Sequence, residues 1–310
     1  MLRMPSLNPV YETNRGHAYL GDSLEVMRHL KDSSVNLVMT SPPFALTFKK
    51  EYGNKSQEDY VSWFVEYARE MYRLLPDDGS FVLDLGGAWN KGTPTRSLYH
   101  YKLAIALCEE IGFHLAQDFF WFRPAALPVP AEWVTVRRIR VKDAVNYVFW
   151  FSKTPWPKAS NRNVLTPYSG DMNRLIEKGY RAKARPSGHN ITSKFQRDNG
   201  GAIPPNLLQM GNNDANGSYM AACKREGVKP HPARFPEGLP AFFINLCTDE
   251  GDLILDPFAG SNMTGYAAEK SGRRWISIEL NEGYLDASRF RFTQPALFEE
   301  SSAGTYETSE

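Results

Sequence analysis

Leu253-Ile254-Leu255-Asp256-Pro257-Phe258-Ala259-Gly260-Ser261-Asn262-Met263-Thr264-Gly265 runs from an apolar stretch through small residues into a helical pattern. The spacing predicts a strand over 253–255, a tight turn, and a helix over 264–270. A turn of small residues lets the backbone approach a ligand closely. A second strand follows over 275–278 and a helix over 282–290. Glu279 closes that strand nineteen residues beyond Gly260, an offset at which an acid can accept hydrogen bonds from ribose hydroxyls. The turn has neither the glycine spacing of a dinucleotide pyrophosphate site nor the lysine of a P-loop. It favours a nucleoside ligand without phosphates, and S-adenosylmethionine (AdoMet) fits. The alternative is a capping aspartate at 256 and a surface acid at 279.

Working outward, the first third of the chain repeats the alternation. His17–Leu20 reads as a strand ending at Gly21-Asp22, and Ser23 as the cap of a helix over 24–30. Val35–Thr40 is an apolar strand that runs into Ser41-Pro42-Pro43-Phe44, where two prolines must end the ladder. Ser56 and Asp59 resemble a capping box ahead of a helix over 57–75, whose apolar residues keep one face at 3.6-residue spacing. Strands are expected over 81–85, 115–122 and 141–151, and helices over 101–111 and 239–246. Alternating strands and helices at both ends predict an α/β fold, a mostly parallel twisted sheet with helices on both faces. Ligands bind such sheets at the carboxyl ends of the strands. Gly21-Asp22, Thr40–Phe44 and Asp256–Gly260 all lie at such ends.

Two prolines just past a strand end fix the backbone of Ser41-Pro42-Pro43-Phe44. The Ser41 hydroxyl and the Pro42 carbonyl are then aimed at one point, with Phe44 as a stacking face. An exocyclic amino group needs this set. Its lone pair is delocalised into the ring, and two acceptors on its two N–H hydrogens would draw the nitrogen toward a tetrahedral form. Phe44 would hold the ring, worth roughly 1–3 kcal/mol by analogy with base–aromatic stacking, once the base has left its duplex. A proline-stiffened turn without chemistry is the alternative.

The 310 residues are 42% hydrophobic and 23% charged, an ordinary globular balance that argues against a disordered or fibrous chain. No apolar run approaches the ~20 residues of a membrane helix, and Met1–Asn14 lacks an apolar signal core, so a soluble, unsecreted protein is expected. Cys108, Cys223 and Cys247 are odd in number and far apart, which suits a reducing compartment and offers no zinc knuckle. The net charge of +1 conceals a segregation. Residues 152–234 hold 14 Lys and Arg against 5 Asp and Glu, while the rest hold 22 against 30. A basic segment of this kind suggests a polyanion partner, with a solvated surface as the alternative. From 152 to about 230 the chain is rich in Asn, Gly, Ser, Pro, Lys and Arg, and reads as a loop-rich second domain or a large insertion. The tail 295–310 has four Glu and no Lys or Arg and reads as disordered.

Thr40–Phe44 with Asp256–Gly265 resembles the amino-group DNA methyltransferases whose catalytic block precedes the cofactor block, the β arrangement. In particular it resembles the PvuII-type cytosine-N4 methyltransferases of restriction–modification systems. The resemblance spans roughly residues 9–293 and includes Asn8–Thr13 and His231–Pro236. It implies a Rossmann-like AdoMet-dependent methyltransferase fold. Residues 1–151 would form its catalytic part, 231–294 its AdoMet-binding part and 152–230 the target-recognition region. It implies that Ser41, Pro42, Pro43 and Phe44 form the catalytic loop. It places Asp256, Pro257, Phe258, Gly260, Ser261 and Thr264, with Thr40 and Phe235, around the AdoMet methionine. Glu279 would take the ribose and Asp22 the adenine amino group, and His231–Pro236 would begin the helix covering the methionine end. Carried over to specificity, it implies a target of CAGCTG or a close relative. Asn36 departs from the pattern, since an acid is common there. A monomer suffices, in a bacterial cytoplasm beside a cognate restriction nuclease.

Reading duplex DNA needs cations on phosphates and donors in the grooves. Arg181, Lys183, Arg185, Ser187, His189, Lys194 and Arg197 cluster within seventeen residues. Lys49 and Lys50 lie in a loop, 45–54, that is flexible by composition and could close over DNA. Each residue of the 181–197 cluster is read as a phosphate or solvent contact ahead of a base contact, and the alternative for the loop is a solvated segment. His189 has no metal partners nearby. Trp121, Trp133, Trp150 and Trp156 are candidates for the core or a domain joint. Cytosine-C5 chemistry is set aside, because it usually needs a thiolate after a proline and none of the three cysteines follows one. Ser before Pro-Pro leans toward cytosine N4. An adenine-N6 enzyme, an RNA amino-methyltransferase and a DNA-binding module without catalysis stay open.

Overall fold

The computed structural model describes residues 7–45, 55–179, 197–211 and 216–293. Among these, nine strands form one sheet. In chain order they are β1 (Tyr11–Glu12), β2 (Gly16–Leu20), β3 (Leu37–Thr40), β4 (Ser80–Gly86), β5 (His114–Phe122), β6 (Val145–Ser152), β7 (Leu207–Gln209), β8 (Leu253–Asp256) and β9 (Arg274–Glu279). Their spatial order is β1-β2-β9-β8-β3-β4-β6-β5-β7. The pairs from β2 through β9, β8 and β3 to β4 are parallel, and so is β5 with β7. β1 on β2, and β6 between β4 and β5, are antiparallel. The expected mostly parallel α/β sheet is therefore present, with one reversed strand in its second half.

The core follows from a period of two along the strands. Val38, Leu83, Leu85, Leu255, Ile276 and Ile278 face one side. They pack against α1 (Ser23–Arg28), α2 (Tyr60–Leu74) and α3 (Tyr99–Ala106). Leu37, Met39, Val82, Val148, Ile254 and Trp275 face the other side. There they meet α6 (Gly238–Cys247), α7 (Met263–Lys270) and α8 (Glu282–Ser288). Tyr60, Phe64, Ala68, Met71 and Leu74 of α2 are buried, the face its spacing predicts. Among the described residues, no helix is long and apolar enough to cross a membrane.

Several element boundaries differ from the sequence reading. α1 is capped by Asp22, whose carboxylate accepts from the Leu24 amide at 2.7 Å, and Ser23 is its first residue. Ser23 instead sends its hydroxyl to the Pro257 carbonyl. Ser56 and Asp59 do bond to each other, but they close a turn, and α2 begins only at Tyr60. β6 starts at Val145 rather than 141. The helix expected over 101–111 is α3 followed by a π-helical turn over Leu107–Ile111. The basic segment holds more regular structure than its composition suggests, namely α4 (Gly170–Lys178), β7 and α5 (Gly217–Arg225). β7 pairs with β5, so this segment extends the sheet. Trp121 and Trp150 are buried, whereas Trp156 is 82% exposed. Asn36 precedes β3, and its side chain accepts from the Leu253 amide at 3.0 Å, so it holds β8 in register.

β2 and β9 approach through Gly16, where a Cβ would lie 2.1 Å from the Trp275 indole. That indole is fully buried, stacks on Phe292 and donates to Glu269 at 2.7 Å, so it cannot retreat. Gly16→Ala should therefore cost about 1–3 kcal/mol of stability through overpacking. The expected result is a lower urea midpoint at an unchanged slope.

Candidate active site

The strand order reverses direction between β8 and β3. From β8 the chain proceeds to β9 on one side, and from β3 to β4 on the other. A crevice must open at the carboxyl ends there. A cleft of about 460 Å³ does so, within the usual size for a small-molecule site. Its lining includes Ser41, Pro42, Pro43 and Phe44 from beyond β3, and Pro257, Phe258, Gly260 and Ser261 from beyond β8. The two expected loops thus meet in one cavity.

Asp256 connects them from below. It is 1% exposed and does not line the cleft. Its carboxylate accepts the Thr40 hydroxyl at 2.7 Å, the Thr264 hydroxyl at 2.7 Å and the Phe258 amide at 3.1 Å. Burial pushes its pKa up to about 6 against these hydrogen bonds. Thr40 and Thr264 are equally buried and also lie off the cleft wall. The three residues expected around a ligand are instead turned inward, because each finds its partner in the others.

Glu279 and Asp22 line the opposite end of the cleft. Glu279 accepts the Gly260 amide at 2.8 Å and the Asn281 amide at 2.9 Å. Burial holds its carboxyl above the ordinary range. A carboxylate oxygen has two lone pairs, so both oxygens can still accept from a ligand hydroxyl. Gly260 has φ +53°, and a Cβ there would stand 3.1 Å from the His231 ring. His231 packs edge-on against Tyr284, and burial lowers its pKa to about 4, so the ring is neutral. His231–Pro236 is an irregular strap ahead of α6, which begins at Gly238, rather than the start of that helix. The strap brings Phe235 to the wall. Trp63, Tyr67 and Phe258 add an aromatic wall, with Phe258 5.1 Å from Tyr67 and 5.8 Å from Trp63.

At the Ser41 end the sheet presents a polar row that sequence reasoning missed. Asp84 of β4, Asn146 of β6 and Arg123 just past β5 all line the cleft. Ser41 donates its hydroxyl hydrogen to Asp84 at 2.9 Å, and the Asn146 amide donates to the same carboxylate at 3.1 Å. Burial pushes Asp84 up to about 6, opposed by Ser41, Asn146 and the nearby charge of Arg123. Phe44 lies on Gly86, where a Cβ would come within 2.4 Å of its ring. The available signal was an isolated polar residue in each of two apolar strands, Ser80–Gly86 and Val145–Ser152.

Lys49, Lys50, Arg181, Lys183, Arg185, Ser187, His189 and Lys194 lie outside the described residues, as does the tail 295–310. Arg197 is described and exposed. Among the described residues, no cluster of three His, Cys, Asp or Glu side chains is placed to hold a metal ion.

A family model for DNA methylases matches residues 35–290. The Type II methyltransferase M.PvuII of Proteus hauseri is 54% identical over 301 residues, covering 96% of this chain and 90% of that relative. A solved structure of the cytosine-N4-specific PvuII DNA methyltransferase superposes with a TM-score of 0.77 and 47% identity, covering 94% of this chain and 91% of that one. The M1.HpyAVI–SAM complex, at 18% identity and a TM-score of 0.55 over 90% of this chain and all of that one, shares the fold. Sequence, fold and the two loops of the cleft agree along nearly the whole chain, which belongs to the DNA methylase family.

Proposed function

We propose that this protein transfers a methyl group from AdoMet to the exocyclic N4 of a cytosine flipped out of a short duplex site. The observation that carries this reading is the direction of the Ser41 hydrogen bond. Its hydrogen is held by Asp84, so the oxygen faces the cleft as an acceptor. An acceptor beside the Pro42 carbonyl suits the two hydrogens of an amino group. Phe44, seated on Gly86, offers its ring to the base. The identity to a cytosine-N4-specific enzyme and the Ser before Pro-Pro both support cytosine over adenine.

The other end of the cleft fits AdoMet. Glu279 and the exposed Asp22 offer carboxylates to hydroxyl and amino groups, and the bare backbone of Gly260 lines the same cleft. When bound, AdoMet supplies an electrophilic methyl group on a sulfonium. The protein contributes position and fixed acceptors, which act before the nitrogen changes charge. Ser41 and Pro42 hold the amino hydrogens, and Asp84 keeps the Ser41 oxygen turned toward them. As the nitrogen becomes cationic, its surplus proton passes to Ser41 while the Ser41 hydrogen passes to Asp84. The raised pKa of Asp84 makes it a stronger base than an ordinary carboxylate.

The basic segment 152–230 is read as the target-recognition region, with Arg197 and the other named cations on phosphates or base edges. The likeness to a Type II methyltransferase supports a CAGCTG-like target and a role beside a cognate restriction endonuclease in a bacterial cytoplasm. One copy of the chain suffices to methylate one strand at a time.

Labelled AdoMet and duplex DNA, followed by nucleoside mass spectrometry, should yield N4-methylcytosine; N6-methyladenine would overturn the choice of base. Ser41→Ala should lower kcat by about 100-fold, the scale of one fixed catalytic hydrogen bond. AdoMet and DNA affinities should stay within about twofold, and an equal loss of AdoMet binding would refute the assigned role. The raised carboxyl pKa also has a pH signature. Asp84 is ionised above about 6 and protonated below it, so kcat should fall as pH drops through that value. Asp84→Asn should remove that acid limb and lower the plateau.

A further inference from the structure

We infer that Arg123 reads the pyrimidine edge of the flipped base, donating to cytosine N3 and O2 while Ser41 and Pro42 hold N4. This inference rests on the cytosine-N4 reading of the cleft.

The row at the end of the sheet crosses four strands, from Ser41 past Asp84 and Asn146 to Trp121 and Arg123. Strand register makes this a single row. Trp121 pairs with Asn146, and Asp84 with Val148 two residues further along β6. The donors nearest Ser41 are already used, since Ser41 and Asn146 both give hydrogens to Asp84. Arg123 is different. Its guanidinium stands over the Trp121 ring at 5.9 Å. Among the described residues it forms no ion pair and no side-chain hydrogen bond, and its Nε is buried without an acceptor. A cation lining a cleft with its donors unused calls for acceptors from a ligand.

The flipped base has them. Around the cytosine ring, N4 is followed by N3 and then O2, both acceptors. With N4 at Ser41 and the ring on Phe44, that edge faces along the row toward Arg123. A guanidinium presents paired N–H groups in a planar fork, which suits two adjacent acceptors. Adenine offers a ring nitrogen at the first position but only C–H at the second. Arg123 would therefore favour cytosine through a hydrogen bond that adenine cannot return.

The test exchanges one atom. Replacing O2 of the target base by sulfur, a weak acceptor, gives a duplex containing 2-thiocytosine. Wild type should lose roughly tenfold or more in kcat/KM on that duplex, the scale of one lost base contact. Arg123→Met should fall by on the order of 10–100-fold on cytosine, yet treat cytosine and 2-thiocytosine alike, because the coupling is gone. Arg123→Lys keeps the charge without the fork and secures the comparison if the Met variant is inactive. It should show less than threefold sensitivity to sulfur. AdoMet affinity within twofold of wild type shows that each variant is folded. Undiminished sensitivity in both variants, or an insensitive wild type, would overturn the inference and leave Arg123 as a phosphate contact or a partner of the Asp84 charge. If wild type methylates adenine and not cytosine, the parent reading falls, and this inference with it.

Discussion

Two hydroxyls and one amide converge on the carboxylate of Asp256, and through it the two loops of the cleft are fastened together. Removing a carboxylate from water costs several kcal/mol unless hydrogen bonds replace the lost hydration. Here three donors do so, and each comes from a different part of the site. Thr40 precedes the Ser41 loop, Phe258 belongs to the turn beyond β8, and Thr264 lies in the first turn of α7. The group that accepts a methyl and the group that delivers it must meet in line, and misplacement by an ångström is expensive. A single buried side chain sets the spacing between the two loops of the cleft.

The rest of the site divides along that fastening. On the β8 and β9 side the polar groups are acids and backbone amides. On the β4, β5 and β6 side Ser41 and Asn146 both donate to Asp84, and Arg123 stands beyond them with no hydrogen bond to the group among the described residues. Asp84 turns Ser41 into an acceptor, and Asn146 supports Asp84 from the other side. The cation at the far end counters the buried carboxylate without bonding to it. Direction rather than mere presence of polar atoms is what the sheet imposes.

Much of this was legible in the sequence, because loops at strand ends keep their residues together. Ser41–Phe44 and Pro257–Gly260 are contiguous, and proline and glycine announce their backbone geometry. The row of Asp84, Asn146 and Arg123 is assembled from three strands, so no spacing along the chain reveals it. Asp256 misled for a related reason. A carboxylate at a strand end reads as facing a ligand, and only the fold shows that Thr40 lies 216 positions away and bonds to it. Ser23 reads as the cap from its type and place, but the carbonyl of Pro257 takes its hydroxyl and the carboxylate of Asp22 caps the helix instead. Composition marked 152–230 as basic, but the pairing of β7 with β5 depends on a partner about ninety residues earlier, as does the Asn206 bond to Asp118.

The spatial order of the strands has a consequence for synthesis. β9 and β8 lie between β2 and β3, although the chain supplies them last. Gly16 pairs with Trp275, and Leu37 with Ile254. Domains emerge from the ribosome amino end first, at about 5–20 residues per second. Throughout that interval β2 has only β1 beside it and β3 only β4, so each presents one unpaired parallel edge, an arrangement prone to slow pairing and aggregation. The centre of the sheet closes only when the final quarter of the chain arrives. A nascent chain that stops before Leu253 has the Ser41 loop but no β8 turn opposite it, so translation itself delays assembly of the cleft until both central strands have been made.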